Sequence, residues 1–372
     1  MLPGLYIHIP FCISKCHYCN FYSVTSLEYV PDFLKSLYKE MAMYRERFET
    51  FDTLYIGGGT PSALPIDSLE ELIQKVGNTF DLSPDSEMTL EANPGDLDAT
   101  YLTELRKTGI NRLNIGVQSF DDAILSLLGR RHSGQDALVA MGMSRTAGFD
   151  NIGLDLIYCV PGQDMHGWMK TLDQALNFNP EHLSCYQLTL EPGTPLGMIY
   201  RKGPPGFSDE EREYDFFMKT SEKLEDAGYI HYEVSNFARD GILASQHNQK
   251  YWDHTPYLGL GPSAHSFKKN KRWWNHSSLP AYIHDIEQGT PPVEEAEVLT
   301  NEQLCLEALS LGLRTKKGIN FTDFKMKYHV DLLSEKKEII ATLKAEGLVN
   351  VKNGSLSPTR RGLVIADSLS LL

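Results

Sequence analysis

Three closely spaced cysteines near the start of the chain are the residues best suited to chemistry. Cys12, Cys16 and Cys19 follow a C-x3-C-x2-C spacing, directly after the apolar run 5–9. A closed structural zinc or iron–sulfur site normally takes four protein ligands. Three thiolates on one loop therefore predict an inorganic centre with one metal position open to another ligand.

Zinc and an iron–sulfur cluster are the two centres to compare. For zinc, His17 offers a fourth ligand, but it lies between Cys16 and Cys19 and would have to close a very short chelate loop. Soft thiolates favour iron–sulfur clusters, and three of them suit a 4Fe-4S cluster whose fourth iron is free. That iron can chelate the amino and carboxylate groups of S-adenosylmethionine (SAM) and pass an electron to its sulfonium. We favour the cluster and keep zinc as the alternative.

Composition limits the class of protein that can surround this loop. The 372 residues are 41% hydrophobic and 23% charged, typical of a globular chain with room for one large domain and a small one. The net charge of −14 argues against general nucleic-acid binding, which needs a basic face. No apolar run reaches membrane-spanning length, and the first residues lack a signal-peptide pattern. We therefore expect a cytoplasmic protein with reduced cysteines.

Short β-like runs alternate with helical stretches over the first half of the chain. Six strands are predicted, and amphipathic helices separate them. The predicted strands are 5–9, 53–56, 88–91, 112–117, 152–157 and 182–188. Strands that alternate with helices pair in parallel through right-handed crossovers, either in a barrel or in an open doubly wound sheet.

Polar residues at the strand ends favour the barrel. The cysteines follow strand one, a Gly-Gly-Gly-Thr turn at 57–60 follows strand two, and polar side chains lie at or near the ends of the other four. These polar residues are Glu91, Gln118, Asp155, Tyr186 and Gln187. Side chains that meet at one mouth from the carboxyl ends of several strands are typical of a barrel. The predicted fold is α/β, a partial (β/α)6 TIM-like barrel.

The pattern changes after about residue 195, so three domains are predicted. Residues 1–195 form the barrel, 196–295 an extension rich in aromatics and histidines, and 296–372 a small domain. Three helices and a hairpin around Asn353 and Gly354 predict a winged-helix-like topology for the small domain. Its basic residues are interleaved with acidic ones, as on a solvated face, so no nucleic acid is expected as a partner.

The cysteine loop, with Tyr18 before its last cysteine, resembles the radical SAM superfamily. Three strings narrow the likeness: Tyr6 to Cys12, Gly57 to Ser62, and Gly116 to Phe120. They are similar to the subfamily that contains oxygen-independent coproporphyrinogen III oxidase and the HemW-type heme chaperones. The similarity runs through nearly the whole chain.

This resemblance implies a set of cofactor contacts. The three cysteines would hold a 4Fe-4S cluster. Positions that would contact SAM are Tyr6, Tyr18, Gly58, Gly59, Thr60, Glu91, Gln118, Arg130 and Asp155. Carboxylates suit ribose hydroxyls or the methionyl ammonium, and an arginine suits a carboxylate. For Arg130 and Asp155, a structural ion pair or a loop cap is the alternative role.

Two features separate the oxidase from the chaperone. The oxidase resemblance would call for another cysteine two residues after Cys19 and a longer amino-terminal arm, but Asn20 and Phe21 follow Cys19. The string from His247 to Trp252 matches the H-N-x-x-Y-W pattern of the heme chaperones. Because a neutral imidazole is a common axial ligand of heme iron, the resemblance implies His247 as a heme ligand or near-ligand. A core histidine among packed aromatics is the alternative.

The function that the resemblance implies is that of a heme chaperone. It would bind heme, carry the cluster and SAM, and transfer heme to apo-hemoproteins of the respiratory chain. Peripheral membrane association through those partners and a homodimer are further expectations. A coproporphyrinogen oxidase, or another radical SAM enzyme acting on a tetrapyrrole, is the alternative, and the sequence identifies no catalytic residue.

Overall fold

A computed structural model describes residues 2–48, 50–200 and 209–369 of the chain. All six predicted strands are present, and the second and third are longer than predicted. The strands are β1 (Gly4–Ile9), β2 (Phe51–Gly58), β3 (Leu82–Ala92), β4 (Arg112–Gln118), β5 (Ile152–Tyr158) and β6 (His182–Gln187). The helices between them are α1 (Val30–Tyr44), α2 (Ile66–Thr79), α3 (Ala99–Lys107), α4 (Asp122–Leu127), α5 (Gly134–Thr146) and α6 (Met165–Phe178).

The six strands lie side by side in chain order, and every neighbouring pair is parallel. A doubly wound sheet would reverse its strand order at a switch point. Sequential order with right-handed crossovers instead places the connecting helices on one face of a curved sheet. The strands therefore form the predicted partial barrel, and their carboxyl ends meet at one rim.

Strand β4 shows how the sheet separates two environments. Leu113, Ile115 and Val117 are buried in the main hydrophobic core, whereas Arg112 and Asn114 point to the opposite, inner face. Because residues paired in register share a face, the same division runs across the sheet. The polar inner residues are Tyr6, His8, Thr53, Tyr55, Glu87, Thr89, Glu91, Arg112, Asn114, Asp155, His182 and Ser184. TIM barrels usually fill this space with branched apolar side chains, so a polar interior is suited to a polar ligand.

The segment after β6 extends the same sheet at both edges. Its helices are α7 (Pro195–Ile199), α8 (Glu210–Asp226), α9 (Gln246–Trp252) and α10 (Leu279–Glu287). Its strands are β7 (Ile230–His231), β8 (Asn236–Ala238), β9 (Tyr257–Leu260), β10 (His265–Lys268), β11 (Lys271–Asn275) and β12 (Val293–Val298). Strands β8 and β7 continue the sheet beyond β6, and β9 to β12 continue it beyond β1. The predicted extension also includes residues 201–208, which lie outside the described residues.

Glu40 of α1 joins the barrel to the extension through a buried polar cluster. Its side chain accepts hydrogen bonds from the Gly261 N–H at 2.8 Å, the Tyr282 hydroxyl at 2.7 Å and Asn275 Nδ2 at 2.6 Å. Burial raises the pKa of Glu40 to about 7, and these hydrogen bonds offset only part of the rise. The carboxyl group therefore ionises within the neutral pH range.

We expect the stability of the variant Glu40→Gln, relative to that of the wild type, to increase as the pH rises. With its raised pKa the native carboxyl holds its proton more tightly than the unfolded chain does. Its contribution to stability is therefore full below about pH 4.5 and is lost as the pH rises through about 7. Glutamine does not titrate. The unfolding free energy of Glu40→Gln should therefore rise by ~2 kcal/mol relative to that of the wild type between about pH 5 and pH 8. Urea unfolding measures this difference, and a difference independent of pH would contradict the raised pKa.

The residues after β12 form a small domain with its own hydrophobic core. Its helices are α11 (Asn301–Gly312), α12 (Phe321–Tyr328), α13 (Leu332–Glu335), α14 (Lys337–Ala345), α15 (Arg360–Val364) and α16 (Ala366–Leu369). Its strands are β13 (Ile319–Asn320), β14 (Val349–Lys352) and β15 (Ser355–Pro358). Strands β14 and β15 form the predicted hairpin, whose turn residues Asn353 and Gly354 both have positive φ. The sequence predicts a helix over 335–346, and α14 occupies most of that range.

Among the described residues, no helix combines the length and the apolar character needed to cross a membrane.

Candidate cofactor site

A cavity of about 490 Å³ opens at the carboxyl ends of the six barrel strands. Most of the predicted site residues meet there. The cavity is lined by Cys12, Cys16, Tyr18, Cys19, Gly58, Gly59, Thr60, Glu91, Gln118, Arg130 and Asp155. Tyr186 and Gln187, at the end of β6, also line it. Two predicted residues, Tyr6 and His247, do not line the cavity and are described below.

The cysteine loop forms one wall of this cavity. The Thr60 hydroxyl donates to Cys12 Sγ at 3.4 Å, and Arg130 Nη1 donates to Cys16 Sγ at 3.2 Å. Donors aimed at sulfur stabilise the thiolate, which is the form that binds metal. Burial raises the pKa of the Cys19 thiol, and the two neighbouring cysteines raise it further. The three sulfurs and their donors fit the ligand set of a cluster.

The described residues do not form a closed site for a single zinc ion. Nowhere in residues 2–48, 50–200 and 209–369 do three His, Cys, Asp or Glu side chains approach closely enough to hold one ion. Cysteines that each bind a different iron of a cluster need not converge on one point. His17 does not line the cavity, and its Nδ1 lies 3.0 Å from the Leu127 carbonyl oxygen. The fourth zinc ligand considered from the sequence is therefore turned to another partner.

Two glycines, at the end of β2 and directly after it, bring the backbone close to its neighbours. Gly58 has a φ of 109°, which L side chains rarely adopt, and its N–H donates to Glu91 Oε2 at 3.1 Å. A Cβ at Gly59 would lie 2.6 Å from the Phe11 carbonyl oxygen and 2.9 Å from that of Ile9. Glycine is required at position 58 by the backbone conformation and at position 59 by the lack of space for a Cβ. Without side chains at these positions, the backbone of the turn is open to a bound ligand.

Glu91 sits at the base of the cavity with both carboxyl oxygens oriented. The Tyr55 hydroxyl donates to Oε1 at 2.7 Å, opposite the Gly58 N–H on Oε2. The pKa of Glu91 is raised to about 7, because removal from bulk water and, to a lesser extent, the nearby Asp155 outweigh the lowering by the two hydrogen bonds and Arg112. Each oxygen keeps a lone pair that can accept from a ribose hydroxyl or an ammonium group.

Asp155 of β5 has one oxygen open to a ligand. Its Oδ2 accepts from Asn114 Nδ2 at 2.7 Å, whereas Oδ1 is buried and has no hydrogen-bond partner within the described part of the chain. Enclosure raises the pKa of Asp155, and hydrogen bonds from Asn114 and Ser184 offset part of that rise. Because an unpaired buried oxygen costs free energy, Oδ1 is suited to a donor group on a bound molecule.

Arg130 has structural partners as well as a place on the cavity wall. Besides its bond to Cys16, its Nη2 donates to the Gly116 carbonyl oxygen at 2.6 Å. Each Nη carries a second hydrogen, so a ligand carboxylate can be bound without loss of these contacts. Tyr18 lies beside it and packs on an apolar cluster that includes Leu128 and Leu196. Both the ligand-binding and the structural role expected for Arg130 are compatible with this position.

Gln118 leaves β4 with a φ of 66°, which is uncommon for a residue other than glycine. The pairing of β4 with β5 shifts register between Gly116 and this residue. Strained backbone next to a cavity is a feature of ligand-binding sites, and the side chain of Gln118 lines this one.

Sequence reasoning missed the layer of polar side chains beneath the cavity. Arg112 is 1% exposed, and within the described residues its Nε and the Asn114 Oδ1 have no hydrogen-bond partner. Tyr6 belongs to this layer, with its hydroxyl 3.1 Å from His8 Nδ1 and its ring 6.2 Å from that of Tyr55. The signal that could have identified the layer is the alternation Arg-Leu-Asn-Ile at the start of β4, in which polar and apolar residues take turns.

His247 lies in α9 at the other end of the barrel, where it is 1% exposed. Its Nδ1 is 2.8 Å from Thr53 Oγ1, and its Nε2 is 2.8 Å from the Tyr251 hydroxyl. Burial lowers the pKa of His247 to about 3, so its ring is neutral. Since both ring nitrogens are engaged, heme ligation by His247 requires a conformation other than this one. Heme ligation by His247 therefore stays a prediction, and the observed geometry is that of a core histidine.

Helix α9 is attached to the barrel strands by charged side chains. Glu87 of β3 accepts from the backbone N–H groups of Gln246 at 3.2 Å and His247 at 3.1 Å, a favourable place for a carboxylate at a helix amino terminus. Lys250 forms an ion pair with Asp52 of β2. These contacts hold His247 beneath the polar layer.

Comparisons with known proteins agree with this site and fold. The radical SAM superfamily matches residues 6–175, and the HemN C-terminal domain family matches residues 299–365. The chain is 35% identical to the heme chaperone HemW of Bacillus subtilis over 99% of this chain and 98% of that protein. It is 36% identical to HemW of Synechocystis, over 93% and 85% of the two chains. The mouse mitochondrial radical S-adenosyl methionine domain-containing protein 1 is 33% identical, over 99% and 86%.

A solved structure of similar fold is that of coproporphyrinogen III oxidase (HemN) from Escherichia coli, a radical SAM enzyme. Its TM-score is 0.86, with coverage of 100% of this chain and 89% of the oxidase. At 23% sequence identity this likeness shows a shared fold.

Proposed function

The chain belongs to the HemW family of the radical SAM superfamily, and from this we propose that it is a heme chaperone that binds heme and transfers it to apo-hemoproteins. The observation that carries the proposal is the match to a relative named heme chaperone HemW, at 35% identity over 98% of that protein. We propose respiratory hemoproteins as the recipients and the cytoplasm as the place of transfer.

Three cysteines are proposed to hold a 4Fe-4S cluster at the cavity. The hydrogen bonds from Thr60 and Arg130 to the sulfurs of Cys12 and Cys16 support this assignment. When bound, such a cluster supplies an open iron that holds SAM and passes an electron to it. The surrounding residues bind and orient the ligand and exclude water from it.

The residues proposed to contact SAM offer different kinds of polar group. The turn 58–60 offers backbone groups and a hydroxyl, and Glu91 and Asp155 offer carboxylate oxygens with free lone pairs. Arg130 and Gln118, which also line the cavity, offer side-chain donors. Tyr18 closes the wall beside Arg130, and Tyr6 is proposed to support the base from the layer below.

The segment after the last cysteine supports a chaperone rather than an oxidase. Position 21, where the oxidase resemblance calls for a further cysteine, is Phe21, and its side chain is 70% exposed at the cavity mouth. An exposed aromatic ring gives the mouth an apolar surface instead of a further thiol.

An anaerobic assay of the reconstituted protein separates the two functions. We expect heme to bind with a distinct Soret band and to pass to a respiratory apo-cytochrome faster than to apo-myoglobin, which serves as the control acceptor. With SAM, a reductant and coproporphyrinogen III present, we expect no protoporphyrinogen above the level of a cluster-free control. Formation of protoporphyrinogen with repeated turnover would overturn the chaperone assignment, and so would a failure to bind heme.

A further inference from the structure

Tyr55 of β2 lies directly beneath the cavity and is almost fully buried. Its hydroxyl donates to Glu91 Oε1 at 2.7 Å, while the Gly58 N–H holds the other oxygen. Two donors on the two oxygens of one carboxylate fix the plane of that carboxylate. The orientation that Glu91 presents to the cavity therefore depends on the position of the Tyr55 ring.

The Tyr55 ring has little freedom to move. On one side it stacks on the His247 ring, with centroids 5.1 Å apart and an interplanar angle of 30°. Gly57 also lies close to the ring, since a Cβ at this position would be 2.9 Å from Tyr55 Cε1 and 2.9 Å from Glu91 Oε2. His247 is itself held by hydrogen bonds at both ring nitrogens. A rigid chain of contacts thus joins helix α9 to the base of the cavity.

We propose that Tyr55, supported from below by His247, is a positioning residue that sets the orientation of Glu91 for SAM binding. The inference rests on the proposed SAM site and adds two residues that act through Glu91 instead of touching the ligand. It also gives the H-N-x-x-Y-W string a role at the cavity through contacts that the structure contains.

Ionisation also matters, because a carboxylate is an acceptor only, whereas protonation turns one of its oxygens into an O–H donor. The titratable and charged groups that act on Glu91 come from five strands and α9: Tyr6, Tyr55, Arg112, Asp155, Tyr186 and Tyr251. Of these, the Tyr55 hydroxyl gives the largest lowering of the Glu91 pKa, which stands at about 7. Loss of that hydroxyl raises the pKa, so at neutral pH a smaller fraction of Glu91 is ionised.

The variant Tyr55→Phe removes the hydroxyl and keeps the stacked ring. We expect SAM affinity of the anaerobically reconstituted protein, measured by calorimetry, to fall about tenfold at pH 7, as for a lost hydrogen bond to a charged group. The loss should narrow at about pH 8.5, where Glu91 is ionised in both proteins. Tyr282→Phe is the matched control, because its hydroxyl makes a buried 2.7 Å bond to another carboxylate, Glu40, away from the cavity.

A double-mutant cycle tests whether Tyr55 acts through Glu91. In a Glu91→Gln background, Tyr55→Phe should change SAM affinity by less than about twofold, since coupled residues are not additive. The inference would be overturned if Tyr55→Phe lowered SAM affinity equally in both backgrounds. It would also be overturned if the wild type bound SAM and Tyr55→Phe bound it with the same affinity. Either result would leave the proposed SAM site intact. Failure of the wild type to bind SAM would instead remove the proposed site.

Discussion

Alanine at Cys12, Cys16 or Cys19 is expected to remove nearly all cluster iron after anaerobic reconstitution. Three protein ligands leave no spare thiolate to replace a lost one, because the fourth iron is the position left for SAM. Loss of a group that merely supports a metal ligand costs 10-fold to 100-fold in affinity, so loss of a ligand should lower bound iron and sulfide by at least about tenfold. Iron and sulfide analysis of each purified variant measures this loss.

Cys305→Ala provides the control for this series. Cys305 is buried in the core of the small domain and does not line the cavity. Its replacement removes a small apolar side chain, so iron content should equal that of the wild type. Near-wild-type iron and sulfide in any one of the three cavity variants would contradict the cluster assignment for that cysteine.

His247→Ala is expected to destabilise the heme-free protein by about 3 kcal/mol. The substitution leaves a cavity under the Tyr55 ring and deprives the Thr53 and Tyr251 hydroxyls of their buried partner. Urea unfolding without heme measures the loss. His284→Ala is the control, because His284 is exposed on α10 and its replacement should change stability by less than about 0.5 kcal/mol. A stability equal to wild type would contradict the core role of His247.

A second variant separates heme ligation from packing. His247→Gln keeps polar groups and much of the volume, so we expect it to be more stable than His247→Ala. Heme titration of this folded variant then tests whether His247 ligates the heme iron, as the sequence resemblance implies. A lost Soret band would assign His247 as a ligand in a rearranged conformation. A wild-type spectrum and affinity would assign the histidine to the fold alone.

The H-N-x-x-Y-W string shows why a motif and its role can be separated. His247 and Tyr251 are four residues apart, so they share one face of α9, and the tyrosine hydroxyl lies 2.8 Å from the histidine Nε2. The pattern is thus also that of a small buried hydrogen-bonded cluster. Spacing alone does not distinguish a ligand from a side chain that holds its neighbour.

Local patterns predicted most of the regular structure in the barrel and the small domain. The sequence predicts helices over 134–146 and 321–328, and α5 and α12 have these bounds, since each has side-chain capping groups at its start. The strands of the extension were not predicted. Strands such as β7, with two residues, and β8, with three, have too few residues for a period to show, and β8 joins the sheet by pairing with β6, which is distant in the chain.

The cysteine loop is the feature that the sequence determined by itself, because its three thiolates lie within eight consecutive residues and need no distant partner to come together. The alternation of strands and helices, together with the polar residues at the strand ends, likewise indicated the barrel class. Only the tertiary structure decided that Tyr55 meets Glu91, 36 residues away, and that Thr53 meets His247, 194 residues away. Strand register and the docking of α9 depend on side-chain packing over the whole fold. No local pattern contains that information, so the support beneath the cavity became visible only in the folded chain.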